Sequence, residues 1–119
     1  YVAVQSDPYP ALIKPAVTFA ENAVKITPGH GGWWKTLGAI QYRDGRYESA
    51  LDSLEKSAEL SGGESVTTAV FFAMTHWQLG NEQQAQTFRD RAVQLRETNG
   101  LHEFYEPLFA EMQELIAPQ

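Results

Sequence analysis

The stretch GWWKTLGAIQYRDGRYESA, Gly32 to Ala50, decides the fold. From Trp33 and Trp34 through Leu37, Ile40 and Tyr42, apolar side chains recur at helical spacing, and the run stops at Asp44-Gly45, where glycine can take the left-handed conformation that ends a helix. Beyond that stop, Tyr47, Ala50, Leu51, Leu54, Ala58 and Leu60 form a second apolar stripe that ends at Ser61-Gly62-Gly63. Two helices joined by so short a turn make an antiparallel hairpin.

The same build returns downstream. Ala69, Phe72, Ala73, His76 and Trp77 run to Leu79-Gly80, and Ala85, Phe88, Ala92, Val93 and Leu95 run to Asn99-Gly100. An offset of 35 lays Leu37 over Phe72, Gly38 over Ala73, Gly45 over Gly80, Ala50 over Ala85 and Ser57 over Ala92. Small residues fall on small and large on large. Going back by 34, Ala50 falls on Ala16, Ser57 on Ala23 and Leu60 on Ile26, so PAVTFAENAVKITP reads as the second helix of an earlier hairpin, ended by Pro28. At the C-terminus LHEFYEPLFAEMQELI carries an apolar stripe from Leu101 to Ile116, with Glu103, Glu106, Glu111 and Glu114 elsewhere, which reads as an amphipathic capping helix starting near Glu106 because Pro107 suits a first turn.

This spacing resembles the tetratricopeptide repeat, with its W-x2-L-G-x2-Y, A-x3-F, A, P signature and period near 34 residues. Trp34, Leu37 and Gly38 match the opening, Ala50, Leu54 and Ser57 the later small, large and small positions, and Phe72, Ala73, Ala85 and Ala92 the second copy. Two positions depart: Tyr42 stands one place beyond the expected tyrosine, and Arg89 takes an aromatic position with Phe88 beside it. The resemblance implies an all-α, TPR-like α-α superhelix of antiparallel hairpins with a C-terminal capping helix. Its single domain would cover 1–119, with a half repeat at 15–30, repeats at 31–64 and 65–99 and a cap at 101–117. Helices are expected at Pro15 to Ile26, Trp33 to Asp44, Tyr47 to Leu60, Val66 to Leu79, Glu82 to Thr98 and Glu106 to Ile116, with no strand. The small residues allow close helix crossings and Trp34 wedges between units, while Trp33 faces another side. Gln86 reads as an exposed position of the fifth helix.

The resemblance also implies a concave peptide-binding groove, lined by the fifth, ninth, twelfth and thirteenth residues of each repeat. These carry over to Lys35, Ala39, Tyr42 and Arg43, then Val70, Met74, Trp77 and Gln78. The eight include two cations and no anion, which suits an extended or helical segment offering an apolar side chain beside a carboxylate. Ala39 and Met74 replace the asparagine that a carboxylate clamp for chaperone tails wants, so that ligand is disfavoured. The plain alternative is that Tyr42 and Trp77 are core and the cations pair with nearby acids. The wording of the repeats is similar to TPR regions attached to bacterial serine/threonine protein kinases; no kinase motif is present, so an accessory region is implied. A start at Tyr1 rather than Met leads to the same expectation of a part of something longer.

Composition narrows the function. A net charge of −6 and a pI near 4.9 argue against nucleic acid as a partner. Without cysteine there is no disulfide, thiolate metal site or cysteine nucleophile, which fits a cytoplasmic protein. YVAVQSDPYP lacks the features of a signal peptide, and no apolar run is long enough for a membrane span. His30, His76 and His102 show no metal-ligand spacing, and His76 reads as a core histidine. Glu48, Asp52, Glu55 and Glu59 read as a solvated helix face rather than a catalytic pair, no serine sits in a nucleophile elbow, and Gly62-Gly63 is a turn rather than a phosphate loop. The expectation is a non-catalytic module without cofactor or metal, binding a protein or peptide segment. A structural spacer or self-associating segment, and hence a homo-oligomer, is the second class.

Overall fold

The computed structural model describes the backbone of residues 9–118 and the side chains of residues 11–118. The opening YVAVQSDP, on which part of the signal-peptide reading rests, and Gln119 lie outside the described residues. The rest is helical: α1 Tyr9–Ile26, α2 Gly31–Arg43, α3 Tyr47–Ser61, α4 Val66–Gln78, α5 Glu82–Asn99, a 3₁₀ turn Glu103–Tyr105 and α6 Glu106–Leu115, with no strand among the described residues.

Five of the six helices keep their expected limits to within two residues. The exception is α1, expected from Pro15 and found from Tyr9, with Pro15 inside it. Proline removes one backbone donor, which leaves the carbonyl of Ala11 without its helical partner. Both residues are on the exposed side, where water satisfies that carbonyl, and Ile13 and Val17 gain by packing inward.

Helices α2 and α3 form one hairpin, and α4 and α5 the other. Their turns share one hydrogen-bond pattern at an offset of 35: Arg46 N–H donates to Gln41 O and Asn81 N–H to His76 O, both at 2.9 Å. In each, glycine holds a left-handed φ, 80° at Gly45 and 83° at Gly80. Inside the first hairpin the small residues bring the helices together. Ser53 Oγ donates to Gln41 Oε1 at 2.7 Å and Ser57 Oγ to the Gly31 carbonyl at 2.8 Å, so the polar groups buried at the crossing are satisfied.

At the centre lies α4, whose residues from Val66 to His76 are all buried. A helix apolar on every side needs neighbours on every side; α2, α3, α5 and α6 supply them. The main core joins Val70, Phe72 and Met74 of α4 to Leu54 of α3, Ala85 and Ala92 of α5, Phe109 and Met112 of α6 and Ile116 just beyond it. A smaller cluster holds α1 to α2 through Ala20, Val24 and Leu37, with Trp33, Trp34 and Ile40 packed on it. Trp34 also donates from Nε1 to the Pro28 carbonyl at 2.8 Å, while Trp33 sets its ring edge-on to Phe19 at 5.7 Å.

Candidate functional site

Of the eight residues expected to line a groove, Lys35, Tyr42, Arg43 and Gln78 take part in contacts between α2 and α4, and not all of the eight face outward. Val70 and Met74 are 1% and 0% exposed, out of reach of any ligand. The reason is α6, which packs on α4 and brings Phe109, Met112 and Ile116 into the same core. Tyr42 is also buried, its ring against Tyr47 and Phe71 at 5.5 and 5.9 Å. Its hydroxyl accepts from Gln78 Nε2 at 3.4 Å, and burial pushes its pKa above the ordinary tyrosine value. Ala39 and Trp77 are half-buried against the core, and Gln78 is exposed.

The two cations have partners. Arg43 meets Glu111 of α6 in a two-armed pair, Nη1 to Oε2 at 2.6 Å and Nη2 to Oε1 at 2.7 Å, with its guanidinium 5.7 Å from the Tyr42 ring centroid. Lys35 Nζ donates to Thr67 Oγ1 of α4 at 3.3 Å. The strip therefore receives a helix that sets a carboxylate, Glu111, beside an apolar side chain, Met112, and that helix belongs to the chain itself.

Further contacts that sequence reading missed fix α6. Arg96 Nη2 donates to both carboxylate oxygens of Glu106 at 2.7 Å, and its guanidinium lies 4.7 Å from the Phe109 ring centroid. Arg89 Nε donates to the Ile116 carbonyl at 2.9 Å, and Gln86 Nε2 to the Ala117 carbonyl at 2.7 Å. Gln86, expected to be exposed, is therefore half-buried at the end of α6. These contacts run α6 antiparallel to α5. The one sequence signal for this seat was Arg89 itself, a cation at a position where the repeat pattern wants an aromatic ring.

Beyond α6 the strip stays open at the start of α4. A cleft of about 310 Å³ lies there, lined by Lys35, Thr67, Leu101, His102 and Tyr105 among others. His76, well away from it, is buried beside the stacked pair Phe72 and Phe88, its ring parallel to theirs at 6.5 and 5.5 Å, with Nδ1 accepting from Asn81 Nδ2 at 3.2 Å. His30 caps α2, its Nδ1 accepting from the Trp33 N–H at 3.3 Å. Among the described residues no group of His, Asp and Glu is placed to hold a metal ion, and no helix is long and apolar enough to cross a membrane.

No protein-family model matches the chain, and no curated protein matches it.

Proposed function

We propose that this chain is a non-catalytic protein-interaction module of tetratricopeptide type, which receives an acidic and apolar segment of a partner protein in the strip between α2 and α4. The observation that carries the reading is the seat of α6, where Glu111 pairs with Arg43 while the neighbouring Met112 is fully buried. The strip accommodates a helix of the chemistry its own residues select. A partner enters at the uncovered end, with its carboxylate on Lys35 and its apolar side chain against Leu101 and Tyr105 in the open cleft. The setting that the repeat wording supports is an accessory region of a larger bacterial, cytoplasmic, serine/threonine-kinase-linked protein.

Labelled peptides that alternate Glu with Leu, Met or Phe, titrated against the wild type and Lys35→Glu at low and raised salt, test the reading. Charge reversal is expected to weaken binding several-fold, and added salt to weaken it too, because an exposed charge contact is screened over about 10 Å at 0.1 M. A peptide that binds both proteins equally at both salts would show that the strip is not the recognition surface.

A further inference from the structure

One stripe of α1 is left in water. Leu12, Ala16, Phe19, Ala23 and Ile26 lie four, three, four and three residues apart, along one side of the helix. Leu12, Phe19 and Ile26 are 58%, 64% and 79% exposed. The positions 34 residues on from Ala16, Phe19 and Ala23 are Ala50, Ser53 and Ser57, which are buried against α2. In α5 the corresponding Ala85, Phe88 and Ala92 face α4, Phe88 stacking on Phe72 at 4.6 Å. This is the face by which the second helix of each hairpin meets the first. In α1 no such first helix covers it among the described residues: α2 packs mainly on a different face, through Ala20 and Val24, and touches the stripe where Trp33 sets its ring edge-on to Phe19. Beside the stripe a cavity of about 260 Å³ opens between Phe19, Ile26 and Trp33.

We propose that a second copy of this chain covers the stripe, α1 lying antiparallel on α1 of the partner about a twofold axis at Phe19. The order of sizes argues for it. Leu12, Ala16, Phe19, Ala23, Ile26 reads large, small, large, small, large from either end, so reversal sets Leu12 against Ile26 of the partner subunit, Ala16 against Ala23 of the partner subunit, and Phe19 against its own counterpart. A twofold interface requires such self-complementarity. The alanines let the two backbones approach to about 8 Å, the short end of the range for packed helices. Charge argues for it as well. Each chain carries −6, so copies repel, and the repulsion is least where neither brings a charged side chain; the stripe has none. The contact leaves the strip between α2 and α4 untouched, and the inference does not depend on the function proposed for that strip.

The absence of native cysteine makes the geometry testable on the full chain, since any cysteine introduced is unique. Sedimentation is expected to show a dimer that tightens as salt rises. Phe19→Asp is expected to raise its dissociation constant at least ~30-fold, the scale of a buried aromatic anchor. Under mild oxidation Phe19→Cys is expected to cross-link to itself, and Leu12→Cys to cross-link to Ile26→Cys in a mixture faster than either does alone. Circular dichroism checks that each variant keeps its helices, and Ile26→Asp replaces Phe19→Asp if that variant does not fold. A chain that stays monomeric at ~0.5 mM overturns the proposal, as does a dimer indifferent to both aspartates or one whose residue-19 cysteines stay reduced. A monomer that takes up an added amphipathic peptide on this stripe overturns it too and assigns the face to a helix of other origin.

Discussion

A methyl group added at Gly38 would sit 2.9 Å from Leu54 Cγ and 3.2 Å from the Ala50 carbonyl oxygen. Leu54 is fully buried and the carbonyl is backbone, so neither yields without moving α3. Gly38→Ala is therefore expected to cost about 1 to 3 kcal/mol, as overpacking does, whereas a leucine at exposed Gln84 is expected to cost less than about 0.5 kcal/mol. Urea midpoints for the two variants check this. His76 supplies a residue-scale test in pH. Burial, opposed by the pull of Glu55, holds its pKa below the ordinary 6.5, and Asn81 donates to the ring in its neutral form. The unfolded chain takes up a proton where the folded chain resists it, so the stability due to neutral His76 is whole above about pH 6.5 and is lost as pH falls from there toward the folded pKa. Denaturant midpoints measured from pH 8 to 5 are expected to fall less steeply for His76→Phe, which keeps a ring beside Phe72 and Phe88 but cannot titrate. Equal slopes would remove His76 from the account.

At the scale of elements, α6 poses a question of magnitude: arginines or apolar side chains hold it. The Arg43–Glu111 and Arg96–Glu106 pairs are about a third or more exposed on each side, and pairs of that kind contribute roughly 0 to 1 kcal/mol. Met112 and Ile116 are fully buried, and truncating a buried side chain of that size costs about 2 to 5 kcal/mol. Burial wins, and the arginines set where along α4 the helix stops. Met112→Ala is expected to lower the urea midpoint far more than Arg43→Ala. An Arg43→Ala effect as large as that of Met112→Ala would reverse the ranking. In α1 a single proline fails to end a helix because its lost hydrogen bond falls on the exposed side, while the inward side gains Ile13 and Val17.

Across the whole molecule the two ends differ. The outward residues of α6, including Gln113 and Glu114, are exposed and polar, and the large apolar side chains exposed at this end are confined to Phe104 and Tyr105 of the 3₁₀ turn before it. The outward side of α1 carries Leu12, Phe19 and Ile26, so the other end presents an apolar face. Between them α4 is enclosed on all sides. Amide exchange is expected to be slowest in α4, at the rate of global unfolding, and fastest in the first turns of α1, where the described side chains of Ala11 and Leu12 are exposed. Slower exchange in α1 than in α4 would show that stability is centred elsewhere.

The helices, their turns and the small residues at the crossings were legible in the sequence because they rest on local rules. Helical period acts over three or four residues, and Gly45 and Gly80 end their helices by conformations that need no distant partner. The groove was legible only in part. Lys35, Tyr42, Arg43 and Gln78 do make contacts between α2 and α4, but the burial of Val70 and Met74 depends on where α6 lies. That position is set by the chain meeting itself across 68 residues, Arg43 to Glu111. No local period encodes a distance of that kind. The sequence by itself determined which segments are helices and which side of each is apolar; the tertiary structure alone decided which apolar sides find partners, because burial is settled by neighbours that the chain brings from far along its length.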